Sequence, residues 1–558
     1  MPKRSLPPAS LPEAKRPFRA VSRSANSVYC PFNALYDEVI LVIFSYLSFT
    51  DLCAVQHVNR DWSRLAQDNQ VLGTLTSPSL WKRLYLNEYG RTRLRGARGF
   101  VGRSDGRETK PLPGRAKHEL SEDFRDWKWM FRISSNWRTG RCSVERLHAD
   151  LSHPETALRS AEDTSQGVLV LLAGTLTITT IKSRTAYPEV HLVSPFHGIH
   201  SLSCRSPRSQ LSTTVTALAL DQSPPAHAHR VRLAVFLSTG EFIIFSVDHH
   251  HPARSVQQLS YLPIASVPRT TPIIQAAFHG HLLATLSQSF HLSLYDLSSG
   301  SIVHKQTLSS FTSHPPSSLV LTPAGGNTYK LIIAYAIPVF PAHWSVGATE
   351  LIITTSPAFL VSSSRTIRAY DVPSGWIDEH KLRLMREQWG RRVARVADTQ
   401  TDGKWVVLAP GEAPPQADTG SSSDESDDTP SSPSSSSSSF VASRMYSASS
   451  LQLYRLYLPA GGSSTPKLTY VRSLHGQLGP VTALALADGR CVSLGANGSI
   501  WVWDLEAGTG AEVFAGVSPS EDDVPPMDVL ETKGHVAFDE RRIVTADARG
   551  VEVRRFDI

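Results

Sequence analysis

Cysteine is scarce in this chain: Cys30, Cys53, Cys142, Cys204 and Cys491 are scattered, odd in number and without a CxxC pair. That argues against a disulfide framework or a thiolate zinc cluster, and for a reducing compartment, nucleus or cytoplasm. Long apolar runs are missing as well. None approaches the roughly 20 residues that cross a bilayer, and no N-terminal stretch resembles a signal peptide. Catalytic signatures are absent in the same way. No glycine-rich phosphate loop follows a strand, and there is neither a GxSxG elbow nor an HExxH pair. Gly325-Gly326, between Pro323 and Asn327, reads as a turn. His249-His250-His251 has metal-ligand residues in sequence, but it sits in a connection beside Pro252 and reads as exposed loop histidines. The expectation is a non-catalytic chain with no cofactor and no metal.

What is present belongs to a globular protein. Hydrophobic residues make up 41% and charged residues 19%, and 558 residues suffice for two or three domains. The net charge of +6 is unevenly spread. Residues 1–29 carry Lys3, Arg4, Lys15, Arg16, Arg19 and Arg23 against Glu13 alone, and are expected to be a disordered basic tail. Residues 91–117 hold a second basic cluster, from Arg91 to Lys117. Such clusters fit nuclear import or nucleic-acid contact, yet neither has the interleaved aromatics that stack on bases. Solvated basic tail and loop is the preferred reading.

The chain is organised around Pro31 to Gln67. Val39 to Phe44 is apolar without a break, opens on Asp37-Glu38 and is followed by Leu47. On a helix, Val39, Ile43 and Leu47 form one stripe, Ile40 and Phe44 lie beside it, and Leu41 and Val42 fall on the far side. Asp51 is expected to cap a second short helix with Leu52, Val55 and Val58, and Asp61–Ala66 to form a third. A unit of about 40 residues is at the lower limit of a self-sufficient core. Each large side chain left wet forgoes roughly 1.5–3 kcal/mol, so a partner surface is the simplest cover.

These residues resemble an F-box: Leu35-Tyr36-Asp37-Glu38-Val39-Ile40, Ile43-Phe44-Ser45-Tyr46-Leu47, Asp51-Leu52, Val58-Asn59-Arg60-Asp61-Trp62 and Ser79-Leu80-Trp81-Lys82. Two departures are visible. Tyr36 replaces the Pro usual after the first Leu, and Asn69–Pro78 looks like an insertion. The resemblance implies docking on the Skp-type adaptor of cullin–RING ubiquitin ligases through Leu35, Ile40, Ile43, Phe44, Leu47, Leu52, Val58 and Trp62. Three core helices of an ordinary domain are the alternative. Asn136-Trp137-Arg138-Thr139-Gly140, after an aromatic helical pattern from Leu120, resembles the linker-to-propeller junction of F-box proteins with WD repeats.

After Gly140 the apolar period becomes two, the signature of strands. The clearest unit runs from His475-Gly476 through Pro480–Leu486 and Arg490–Leu494 to Ser499–Leu505. Its Asn497-Gly498 reads as a type I′ hairpin turn. It is similar to a WD repeat, which implies a buried structural relay of His475, Ser493, Asn497 and Trp503, with Asn497 where Asp is usual. Weaker units recur, with candidate blades near 140–184, 211–248, 270–300, 317–371, 403–457, 475–508 and 530–558. Repeats of several short strands imply a β-propeller, closed by a strand from before the first blade.

The expected architecture is therefore multidomain. It comprises a basic tail (1–29), a small all-α F-box unit (30–89), a mobile basic insertion with a linker helix (90–139) and an all-β, WD-repeat-like propeller of about seven blades (140–558). A disordered loop, 410–446, rich in Ser and carboxylates and open to phosphorylation, interrupts the fifth blade. By resemblance the chain is the substrate-recognition subunit of an SCF-type ubiquitin ligase, holding an unknown target protein. A non-ligase propeller scaffold and a nucleic-acid-associated factor using 91–117 are the alternatives.

Overall fold

The structure, a computed structural model, describes residues 35–67, 80–89, 127–147, 167–205, 212–223, 229–263, 271–340, 342–356, 359–370, 375–411, 450–459, 465–477, 479–487, 489–513, 534–547 and 550–558. The basic tail, the basic cluster 91–117 and nearly all of 410–446 lie outside them. The chain divides into two compact units, Met1–Leu84 and Tyr85–Ile558.

The first unit holds helices α1 (Asp37–Phe44), α2 (Phe49–Val55) and α3 (Arg60–Gln67), and the start of α4 (Leu80–Tyr89). The cap of α2 is Ser48, not Asp51 as expected. Ser48 Oγ accepts from the Asp51 N–H at 3.3 Å and donates to its carboxylate at 2.7 Å. The serine makes its half of a capping box, while the acid three residues later accepts from the Ser48 hydroxyl instead of its backbone N–H. The helix ends at Val55, so Val58 falls beyond it. Leu52, Leu65, Ala66 and Trp81 are fully buried and make the unit's core. Trp81 stands edge-on to Phe49, and its indole N–H donates to the carbonyl of Ala66 at 2.8 Å.

The second unit is a seven-bladed propeller, each blade a four-stranded antiparallel sheet. Strand β1 (Ser143–Leu147) does not start the first blade. It pairs antiparallel with the last strand of the chain, Gly550–Arg555, from Ser143 opposite Arg555 to Leu147 opposite Val551. Ring closure therefore splits the expected 140–184 unit. The first blade is β2 (Val168–Ala173), β3 (Leu176–Ile181), β4 (Glu189–Ser194) and β5 (Gly198–Ser203). The second is β6 (Val215–Leu220), β7 (Arg230–Leu237), β8 (Phe242–Asp248) and β9 (Val256–Tyr261). The others span 273–309, 314–368, 395–474, 481–512 and 535–555.

Among the described residues of the ring, seven separate apolar layers fill the wedges between neighbouring blades, for example Leu233, Val235 and Val247 against Leu176 and Ile178. Phe236 and Phe242 meet Phe278 and Tyr295 in the next wedge. A strand covered on both faces needs apolar residues on both, which is why β8 is buried throughout. Buried polar groups pin the wedges. Arg232 Nε donates to Asp221 at 2.8 Å, and Asp221 accepts the N–H of Gly280 from the neighbouring blade at 2.9 Å. At the closing seam, Arg542 donates to Asp539 in its own blade and to the carbonyls of Gly174 (3.0 Å), Leu176 (3.1 Å) and Thr175 (3.3 Å) in the first blade.

Two helices accompany the ring. Helix α5 (Trp127–Thr139) contributes Ile133 and Trp137 to the wedge between the last two blades. It ends at Gly140, whose φ of +70° turns the chain into β1. A Cβ there would stand 1.9 Å from the Glu512 carbonyl oxygen, so only glycine fits. Helix α6 (Glu379–Gly390) lies between the fourth and fifth blades, capped by Asp378, which accepts the Lys381 N–H at 2.8 Å. It is not among the expected elements: the alternation of the flanking strands hides its short helical pattern.

Candidate functional site

Helix α1 is apolar all round, and the structure sorts its faces. Ile40 and Phe44 turn inward, 5% and 2% exposed. Phe44 meets Trp62 edge-on, ring centroids 5.5 Å apart. Asn59 accepts the Trp62 N–H at 2.7 Å, which fixes the start of α3, and an Asp37–Arg64 pair at 2.7 Å ties α1 to α3. Ile40, Ile43, Phe44, Leu47, Val55 and Trp62 line a small, wholly apolar hollow.

The side of α1 next to this hollow is open to solvent. Tyr36, Val39, Val42, Ile43 and Tyr46 are all exposed, at helical spacing along one stripe, and Leu35 and Val58 are exposed too. Five large apolar or aromatic side chains in a row on so small a unit make a contiguous apolar face, the usual mark of an interaction site. Of the eight positions expected to meet a partner, Leu35, Ile43 and Val58 are exposed, and Leu47 and Trp62 are half-buried. Ile40, Phe44 and Leu52 belong to the interior, Leu52 completely. Tyr36, Val39, Val42 and Tyr46, which were not among the eight, are exposed as well. The all-round apolarity of α1 is the signal in the sequence that points to Val39 and Val42.

In the sixth blade, a relay joins three of the four expected members, Ser493, Asn497 and Trp503, through Gln477 and Ser499. The Trp503 indole N–H donates to Ser493 Oγ at 3.1 Å, and Ser493 in turn donates to the Gln477 side-chain carbonyl. Gln477 Nε2 donates to Ser499 Oγ at 2.8 Å, and Ser499 donates to Asn497 at 2.6 Å. Gln477 is 2% exposed, whereas His475 lies on the surface. The histidine is thus displaced from the relay by the glutamine two residues on, whose amide both accepts and donates. The Asn497-Gly498 turn also differs from expectation. Only Gly498 takes positive φ, +82°, so the turn is a longer one closed by Gly495 and Ser499. Arg368 lies exposed on the outermost strand of the fourth blade.

The family comparison decides what these two parts are. A family model described as F-box-like covers residues 33–87, and one described as F-box protein pof12 beta-propeller covers residues 161–524. The chain belongs to the pof12-type F-box propeller family. Its apolar N-terminal face is therefore the exposed side of an F-box, and its ring is the family's propeller. The solved structures similar to this F-box propeller protein include Saccharomyces cerevisiae Sqt1, at 10% identity over 68% of this chain and 92% of that one, with a TM-score of 0.34. The β-propeller domain of Myceliophteria thermophila Cps50 (Swd1) has 9% identity over 69% and 98%, with a TM-score of 0.35. No curated protein matches the sequence. An F-box joined to a propeller fits a substrate-recognition protein, and F-box domains generally bind Skp-type adaptors.

Proposed function

We propose that this protein is a substrate-recognition subunit of an SCF-type ubiquitin ligase. Its F-box docks on a Skp-type adaptor, and through it on a cullin–RING ligase, while the propeller holds a target protein. The observation that carries the reading is the exposed stripe Tyr36, Val39, Val42, Ile43 and Tyr46 beside the apolar hollow, all within the residues matched as F-box-like. Left in water, these side chains forgo roughly 1.5–3 kcal/mol each, which an apolar partner surface recovers. The protein supplies proximity, not chemistry: tethering raises the effective concentration of the target near the charged enzyme. Such complexes work where cysteines stay reduced, in nucleus or cytoplasm, in keeping with the free thiols of this chain.

The test is reconstitution of the purified full-length chain with a Skp-type adaptor and a cullin. The wild type is expected to co-elute with both, and Val42→Asp combined with Ile43→Asp to lose both. Both positions are exposed, so the variant is expected to fold, while a carboxylate buried in an apolar interface is costly. Adaptor binding without cullin recruitment would make the protein a scaffold outside the ligase pathway. Failure of the wild type to bind the adaptor would overturn the proposal.

A further inference from the structure

The triple histidine of the second blade is more than a loop. Strands β7 and β8 pair antiparallel with Arg230 opposite Asp248. The ladder then continues one residue further, with the His249 N–H donating to the His229 carbonyl at 3.0 Å. His229, 20 residues away in sequence, thereby becomes the cross-strand neighbour of His249 at the edge of the sheet, where side chains stand about 5 Å apart. The Asp248 carboxylate accepts the N–H groups of His250 (3.0 Å) and His251 (2.9 Å), and this turn brings the His250 ring back onto His229. Their centroids are 4.2 Å apart, and the His249 ring is 4.6 Å from that of His250. Each histidine offers one ring nitrogen, and the three nitrogens lie within 4.8 Å of one another. The neighbouring blade supports the cluster. Thr175 Oγ1 donates to the His249 carbonyl at 3.1 Å, and Gly174 leaves room for the His249 ring, since a Cβ there would stand 3.2 Å from its Nδ1.

We propose that His229, His249 and His250 form a binding site for a divalent transition-metal ion of the zinc class. The donor set selects the metal: imidazole nitrogens without a carboxylate suit zinc, copper or nickel, whereas magnesium and calcium take oxygen ligands. Zinc–nitrogen bonds of about 2.0–2.1 Å place tetrahedral donors about 3.4 Å apart, so the three nitrogens, now within 4.8 Å, need to close by at most about 1.4 Å, which side-chain rotation supplies. Two ligands are held on a hydrogen-bonded ladder and the third on a carboxylate-anchored turn, so little backbone order remains to be gained on binding. Three protein ligands leave a fourth position open. On the rim of a propeller, that position is available to water or to a donor side chain of a bound protein.

The experiment uses the full-length chain, freed of metal by chelator and dialysis, titrated with zinc ion by calorimetry and with cobalt(II) by absorbance. His229→Ala and His250→Ala are the variants, since both positions are exposed and tolerate truncation; His197→Ala is the control. The wild type is expected to bind one equivalent saturably, with the intense visible bands of tetrahedral cobalt. Each cluster variant is expected to lose at least about tenfold in affinity, the size of even an outer-shell loss, and the control none. Circular dichroism checks that the variants remain folded. No saturable site, or equal affinity in the wild type and both cluster variants, would overturn the proposal.

Discussion

Trp137 stacks on Phe556, ring centroids 4.1 Å apart and planes 14° from parallel, so the last turn of the linker helix rests on the end of the chain. The Trp137 indole also donates to the Glu540 carbonyl at 2.9 Å, and Asn136 donates to that of Phe556 at 2.8 Å. The Asn136–Gly140 segment is therefore part of the ring's closure, not a tether.

Truncating Trp137 to alanine removes a side chain that is 3% exposed and leaves a cavity in the seam. The expected loss is about 3–5 kcal/mol, read from the denaturant midpoint of the propeller. A variant as stable as the wild type would mean that α5 is not docked on the ring.

The same seam depends on Arg542, whose guanidinium satisfies three carbonyls of the first blade. Arg542→Met keeps the volume and strands those acceptors, together with the Asp539 charge. We expect about 3 kcal/mol of destabilisation by chemical denaturation. Arg368→Met, on an exposed outer strand, is the control and should stay within about 0.5 kcal/mol.

Relay membership separates Gln477 from His475. Gln477→Leu leaves the buried Ser493 hydroxyl without its acceptor and should cost about 1–3 kcal/mol, whereas His475→Ala should change little. The opposite order, measured by thermal or urea melts, would restore the histidine to the relay.

Acid sensitivity follows from His279. Burial holds its imidazole below the ordinary value, with the nearby Asp221 charge opposing the shift. Burial likewise lowers His191 and His304. A histidine kept neutral in the fold takes up a proton more readily when unfolded, at about pH 6.5. Stability is thus intact above that pH and falls as pH drops below it. His279→Phe, which retains an aromatic ring against Tyr329, should show a smaller loss between pH 7.5 and 5.5 in urea titrations. An unchanged or steeper loss would contradict the assignment.

Much of this was legible in the sequence, for reasons that the structure makes plain. Period-two alternation placed the sheets, because wedge packing demands apolar residues at those positions. The run Val39–Phe44 marked the F-box, since nothing else in so small a unit justifies such a density of apolar residues. What escaped depended on rotation and on distant partners. Which side of α1 faces out is set by Leu52, Leu65 and Trp81, and Trp81 joins them through its bond to Ala66, 15 residues earlier in the chain. Gln477 replaced His475 through a local choice of side chain that a repeat pattern overrides. His229 joined the triple histidine only through strand pairing.

The most direct test of the account is the affinity of a purified Skp-type adaptor for the full-length chain, measured by calorimetry for the wild type and for Ile43→Asp. The account predicts saturable one-to-one binding that the substitution weakens by about a hundredfold, equivalent to about 2.8 kcal/mol. Equal affinity in the two proteins, or no binding by either, would contradict it.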